Sequence, residues 1–518
     1  MQTVSETYNA YPDARWSEFR ASFRVIDLTA SSDTTATASA ESDISQIAQT
    51  YDGTETATAK WATFETGGWP ADGSCAILPD DISTVQTGWW SDFSGADGSF
   101  ATAQTLTFTF TANHSSIGFT VLFDDKTDQY PPSMTVSVYD SSDILIDTAT
   151  VTVTSVKQVV ELPVTNYRKV VLSFTETQEA YQTVRITEVV FGIVKYYDDD
   201  NTKEVNIIYE ISPAAENLPS NELTLTVDNS DHVYNIISPN SLYKYLQNGH
   251  HIDAELGIGS TKNSIEDVNM GRVYYTKVEA EDDSMTAKIT FNDRFYRLDN
   301  TVYNGGSVGT WTVAAAVAAV IADSGLSITT VIPAAIGARI INKGISKKTK
   351  HREALRLIAQ AGMSTCFFNR NGELEFIEFA VGTPVDTLDF DNMSSVPKVS
   401  APEESSCNTV LLTVDNDFEE FESTYTASNV ASGEAVNRWE VENPLVYADN
   451  GAAVAAWLLA MKQGRVNYDI TAERGNPARE LCDIATIYDA YNVNRDAVII
   501  RQEFAYDGTL KCDARGWA

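Results

Sequence analysis

Residues 204–247 read EVNIIYEISPAAENLPSNELTLTVDNSDHVYNIISPNSLYKYLQ. Val205 to Ile211 is β-branched and aromatic, which suits a half-buried pleated surface. Pro213 and Pro219 break the run. Leu223-Thr224-Leu225-Thr226-Val227 then alternates apolar and hydroxyl side chains, predicting a strand with one buried and one wet face. Asp228-Asn229-Ser230-Asp231 is a turn cluster whose side chains can bond their own backbone. A short apolar helix is expected after it.

The chain has 518 residues, too many for one core, so several domains are expected. Seventy-two acidic residues against 36 Lys and Arg give a formal charge of −36. Tight nucleic-acid binding needs clustered cations, and docking on an anionic bilayer needs them too, so both classes are excluded. No run approaches the roughly 20 apolar residues of a membrane span, so no membrane anchoring is expected. MQTVSETYNAYPDARW has no basic region followed by an apolar core, so no signal peptide is read there. Cys75, Cys366, Cys407, Cys482 and Cys512 are scattered and lack a CxxC pair, which points to reduced, idle thiols. His250-His251 is read as a surface pair.

Upstream, residues 19–28 form one strand candidate, followed by a Ser/Thr/Ala-rich stretch, TASSDTTATASAESD, with little to bury. Segment 41–190 reads as all-β, with strands expected at 105–110, 117–123, 134–139, 144–153, 158–162, 169–174 and 183–191. Short alternating strands divided by Gly, Asp, Pro and Ser turns predict a sandwich. Trp61, Trp69, Trp89 and Trp90 fall in loops before the main strands. Flat aromatic rings on loops can stack on sugars, so Trp69, Trp89 and Trp90 are the candidate glycan platform. The competing reading is that they plug the end of the sandwich, because Trp is highly buried on average. Asp124, Asp125 and Asp128 are candidate Ca²⁺ ligands, against the plainer reading of a solvated acidic loop.

Downstream, strands are expected at 252–258, 271–280 and 285–291, the last two as a hairpin turning at Glu281-Asp282-Asp283-Ser284. Helices are expected at 312–322 and 350–361, with Gly362 as the left-handed residue ending the second. Asn371-Gly372 marks a hairpin. Residues 396–518 return to strand, at 408–414, 423–427, 438–441, 465–470, 497–503 and 509–514, with one helix at 451–463. Leu225-Thr226-Val227-Asp228-Asn229 recurs as Leu412-Thr413-Val414-Asp415-Asn416, a short echo that fits two related units.

The runs YEISPAAENLPSNELTLTVDNSD and NIISPNSLYKYLQNGHHIDAELGI resemble the opening barrel of baseplate hub, or tail-tip, proteins of phages and phage-tail-like particles. REALRLIAQAGMSTCFFNRNGELEFIEF is similar to their small α+β domain. WATFETGGWPADGSCAILPDD, with TGWWSDFSGADGSF and TFTFTANHSSIGFTVLFDD, resembles discoidin-like jelly rolls of carbohydrate-binding modules. The resemblance implies a mainly β chain with a smaller α+β part. Its parts are an N-terminal strand of the first hub barrel plus linker (1–40), an inserted jelly roll (41–190), the first hub barrel (191–300), the α+β domain (301–395) and the second hub barrel (396–518). It implies a structural homotrimer matching six barrels to the six-fold tail tube. Its partners are tail-tube and distal tail proteins, spike, fibre or baseplate proteins, and host cell-wall glycan at the jelly roll. DNA meets it only in transit through the lumen; the charge of −36 is read either as a carboxylate-lined pore that repels the passing duplex or as plain solubility. The implied location is the virion tail tip, assembled in the bacterial cytoplasm.

No Walker loop, GxGxxG, HExxH or GxSxG is present, so neither catalysis nor a cofactor is expected. Many hub proteins carry a peptidoglycan-cleaving module, and none is read after the last barrel here. Two alternatives stay open: a secreted or surface carbohydrate-binding protein, and a tail-associated peptidoglycan hydrolase.

Overall fold

The computed structural model describes residues 1–5, 8, 16–63, 72–77, 79, 81–238, 241–346, 348–379, 382–416, 421–491 and 494–518. The chain forms two compact units. One comprises residues 1–22, 196–244 and 251–518, and the other 23–195 with 245–250.

The smaller unit is an antiparallel β-sandwich. Its strands follow the order Trp89–Trp90, Arg185–Val190, Ser99–Phe123, Lys157–Glu176, Ser133–Tyr139 and Leu145–Thr152, with Thr34–Ala38 added against Ser99–Phe123. The stretch read as a Ser/Thr/Ala-rich connector therefore supplies a strand: Thr34–Ala38 pairs with Phe110–Leu106. Two expected breaks are also absent. Residues 105–110 and 117–123 lie in one strand, as do 158–162 and 169–174. The shared ladder absorbs the intervening residues as register shifts around His114. Alternate side chains fill the core, where Phe110 meets Tyr167 and Phe191 edge-on at 5.3 and 5.0 Å.

A buried histidine explains why the ladder continues through 112–116. His114 Nδ1 lies 2.8 Å from Asp27 Oδ2, and its Nε2 lies 2.8 Å from Asp33 Oδ2. Asp27 also accepts from the Thr29 N–H, and Asp33 from the Ala112 N–H and the Thr111 hydroxyl. Each ring nitrogen faces an acceptor, so the clasp is complete only when both carry a proton. Burial opposes the charge on His114, but the two carboxylates outweigh it and raise its pKa. Hydrogen bonds from His114 and Thr111 hold Asp33 low. Burial works against Asp27, yet Thr29 and His114 bring it below its ordinary value.

The expected surface pair His250-His251 is corrected at its first member. His250 is buried, accepts from the Gln247 N–H at Nδ1, and donates from Nε2 to the Ile26 carbonyl oxygen at 2.9 Å. That pattern belongs to neutral imidazole, and burial lowers its pKa.

In the larger unit the main sheet runs through Lys398–Ser400, Asn467–Glu473, Leu510–Trp517, Asn494–Tyr506, Thr202–Glu210, Glu222–Asp228, Thr286–Asn292, Glu266–Glu279, His251–Gly259 and the first part of Trp16–Ile26, up to Ser22. The opening stretch sits at its centre. Ile207 stands opposite Leu223 on one side and Phe504 on the other. Val205, Ile207, Leu223, Leu225 and Val227 are buried, so the period-two alternation resolves as read. The short helix expected after the turn cluster is only a 3₁₀ turn, Tyr243–Tyr245, and the Leu242 N–H before it bonds back to the Val233 carbonyl. The repeat of Leu225–Asn229 falls on Thr409–Asn416, the middle strand of a separate sheet with Phe421–Ser428 and Arg438–Glu442. Leu412 and Val414 are buried there, as Leu225 and Val227 are in theirs.

The α+β part has helices Val313–Ser324 and His351–Ala361 beside the hairpin Thr365–Phe368 and Leu374–Ile377. Thr312 caps the first helix by accepting from the Ala315 N–H, and Gly325 at φ 69° closes it. Gly362 is not the left-handed residue after the second helix, since Met363 at φ 51° takes that role. What position 362 needs is space: a Cβ there would lie 2.9 Å from Val313 Cγ2.

The clasp predicts a pH dependence. A raised His114 pKa contributes stability fully below its ordinary value, about 6.5, and loses it as pH rises through the folded value. The lowered Asp27 and Asp33 contribute above about 3.9 and lose it as pH falls. Between pH 6 and 9 the sandwich melting temperature of the wild type should fall about 2–4 °C more than that of His114→Phe, by scanning calorimetry. Equal falls would refute the clasp.

Candidate functional site

Trp89 and Trp90 pair with Ile186 and Arg185 in a short antiparallel ladder. Neighbours on a strand point to opposite faces, and here both faces are covered. Trp89 is wholly buried in the main core, 5.9 Å from the Phe174 ring, with its indole N–H donating to the Ala40 carbonyl. Trp90 packs with Trp61 and Ile44 in a satellite cluster and donates to the Thr87 carbonyl. The Arg185 guanidinium lies 3.8 Å from the Trp90 ring centroid and donates to Asp124 Oδ2 at 3.1 Å. Neither indole offers a face to a sugar ring, so Trp89 and Trp90 are core residues and not a platform. Trp69 lies outside the described residues.

The acidic trio is also put to other use. Asp124 is buried and accepts from Arg185, the Thr127 hydroxyl and the Lys126 N–H. Burial pushes its carboxyl up, and the bonds from Thr127 and Lys126 oppose that shift. Asp125 accepts from the Ala57 N–H and pairs with Lys126 Nζ at 2.7 Å. Asp128 is exposed at φ 53°. Among the described residues no group of three or more His, Cys, Asp or Glu is arranged to hold a metal. The Ca²⁺ expectation is therefore corrected: Arg185 already compensates Asp124. Arg185 and Glu188 escaped the sequence reading, and their signal is two charges inside the apolar run 184–194. Burial pushes the Glu188 carboxyl up to about 8, so it is mostly neutral at pH 7.

The larger unit holds a cleft of about 610 Å³ lined by Trp16, Asp386, Asp389, Glu473, Asn476 and Arg479, among others. Its acidic lining is not an acid–base pair. Arg479 is fully buried and donates to Glu473 and, at 3.2 Å, to Asp386 Oδ2. Asn476 donates to the same Asp386 oxygen, and Tyr8 donates to Asn476. A general acid must exchange its proton with a substrate, whereas both carboxylates are engaged by one fixed, buried guanidinium. Cys366 is buried and its thiol is pushed up, so it makes no activated nucleophile with His351. His351 bonds to Asp323 instead, at 3.0 Å.

The sheet ends at Lys398–Ser400, which pairs on one side with Asn467–Glu473 and with no further strand among the described residues. Val385, Phe390, Val396 and Val399 are 49%, 55%, 44% and 51% exposed. An open edge in an apolar segment is a template for pairing with another chain.

No family model matches the chain, and no curated protein does. Among solved structures it is similar to the 43 kDa tail protein of prophage MuSo2 from Shewanella oneidensis. That match has 13% identity over 62% of this chain and 93% of that one, with a TM-score of 0.43. It is similar to the tail protein from Neisseria meningitidis MC58, at 12% identity over 62% and 94%, with a TM-score of 0.45. It is also similar to the family 32 CBM from C. perfringens NanJ, solved in complex with galactose, at 12% identity over 34% and 99%, with a TM-score of 0.22. No helix among the described residues is long and apolar enough to cross a membrane.

The ion cluster predicts a large stability effect. Arg479→Leu leaves Glu473 buried without its cation and should cost about 3–5 kcal/mol, read as a lower urea midpoint. Arg479→Leu with Glu473→Leu should recover most of it. A single variant within about 0.5 kcal/mol of wild type would show that the cluster does not hold the fold.

Proposed function

We propose that the chain is a structural hub of a phage or phage-tail-like particle, a homotrimer joining the tail tube to the baseplate or spike at the tail tip. The sandwich serves contacts with host glycan or neighbouring baseplate proteins, and DNA only passes through the lumen. The observation that carries this reading is the exposed apolar segment 385–399, which runs into the open edge strand Lys398–Ser400. It sits in a unit whose sheet also takes in Trp16–Ile26, the N-terminal strand that the hub resemblance assigns to the first barrel. With a formal charge of −36 per copy, contact between copies has to come from apolar and backbone groups, because facing carboxylates repel. Arg479 ties up Glu473 and Asp386, two of the carboxylates of the cleft, which supports a structural role over hydrolysis.

The test is the native mass of the purified protein, with two-dimensional electron-microscopy averages. A ring-shaped trimer is expected, and Phe390→Asp with Val399→Asp should shift it to monomer at unchanged melting temperature. A wild type that stays monomeric with purified tail-tube protein present, or a trimer indifferent to both substitutions, would count against the edge as the assembly face.

A further inference from the structure

With Trp89 and Trp90 buried, a sugar-contacting face must be sought among aromatic rings that reach water. Among the described residues of the sandwich unit, the large aromatic side chains more than a third exposed are Phe93 and Tyr181, each at 46%. They sit on loops far apart in sequence that are laced together. The Ser94 N–H donates to the Gln182 carbonyl at 2.9 Å, and the Tyr181 N–H to the Gly95 carbonyl at 3.3 Å. Ser91 N–H reaches the Val184 carbonyl at 2.9 Å. Buried Ser94 is the pin: its hydroxyl oxygen accepts from the Thr177 hydroxyl and the Gln182 N–H. Phe93 and Tyr181 therefore flank one fixed Ser94–Gln182 pair at a single end of the sandwich.

Two features separate these rings from incidental surface residues. Tyr181 has φ 59°, a left-handed backbone that Gly or Asn occupies cheaply and a bulky residue does not. Its ring is in water, so core packing does not account for a tyrosine at this position. The charged groups beside the rings are also all of one sign. Asp92, Asp97, Gln178 and Glu179 are exposed, and segments 91–99 and 176–184 contain no Lys, Arg or His. Carboxylates accept hydrogen bonds from sugar hydroxyls and ammonium groups, and they repel sulfate and phosphate.

We infer that Phe93 and Tyr181 form an aromatic ledge that stacks on a neutral or amine-bearing pyranose of a surface glycan, with flanking carboxylates accepting its hydroxyl or ammonium hydrogens. This rests on the reading of the sandwich as the part that meets host glycan. It differs in kind from a protein-docking patch, for which a sulfated, a neutral and an amine-bearing sugar would be equally irrelevant.

The test uses the full chain on an array of galactose-, N-acetylglucosamine- and glucosamine-terminated oligosaccharides with sulfated counterparts, followed by calorimetry on the best binder. Wild type should bind a neutral or amine-bearing glycan and bind its sulfated form about tenfold or more weakly. Phe93→Ala and Tyr181→Gly should each weaken binding about tenfold, and Tyr181→Phe should retain it. Tyr181→Gly suits the left-handed backbone, so its melting temperature should hold and loss of binding cannot be charged to misfolding. Wild-type affinity in the Phe93→Ala, Tyr181→Gly double variant would overturn the ledge and leave glycan contact standing elsewhere on the sandwich. A wild type that binds none of these glycans, or prefers the sulfated ones, would overturn the ledge; the first of these results would remove the glycan reading with it.

Discussion

The larger unit depends on one strand being hydrogen-bonded along both edges. Thr202–Glu210 pairs with Glu222–Asp228, a few residues away in sequence, and with Asn494–Tyr506, almost three hundred residues away. Its apolar face, Val205, Ile207 and Tyr209, is buried between these partners. The near pairing closes a short loop and costs little entropy, while the distant one must be supported by burial along its whole length. Ile207 between Leu223 and Phe504 is where the local and distant halves of the unit meet.

A second constraint is charge. Cations are outnumbered two to one, and several of them lie inside. Arg479 binds Glu473 and Asp386, Arg185 binds Asp124 against Trp90, and Arg370 donates to the Arg479 carbonyl. His114, when both ring nitrogens carry a proton, is a further buried cation between Asp27 and Asp33. Buried carboxylates need such partners, and cations placed inside leave the outer surface the more acidic. A surface of that kind stays soluble and repels both duplex DNA and further copies. Association then needs apolar surface or open backbone: exposed Val385, Phe390 and Val396 supply the first, and the edge strand Lys398–Ser400 the second.

Much of this was legible in the sequence wherever the signal was local. Leu223–Val227, the Asn371-Gly372 hairpin and the helix at Gly451–Lys462 follow from periodicity and turn chemistry within a dozen residues. The failures are places where a distant partner decides. Nothing near Asp124 announces Arg185, sixty-one residues on. Adjacent tryptophans look like a surface pair when read as a loop, whereas Trp89–Trp90 is a short strand. Trp89 and Trp90 have cores on both sides, one of them the satellite cluster with Trp61. Thr34–Ala38 is a strand because Leu106–Phe110 lies beside it, not because of its own composition. Gly362 looks like a helix stop, yet Val313 is what excludes a larger residue there. Phe93 and Tyr181 could have been noticed as aromatics in polar loops, but only the Ser94–Gln182 lacing shows that their loops adjoin.

The most direct test of the hub account is cryo-electron microscopy of the intact particle with this chain carrying a small fused tag. The account predicts three tagged copies in a ring at the end of the tail tube, joined through the 385–400 edge. Tag density elsewhere on the particle, or a copy number other than three at the tail tip, would contradict it.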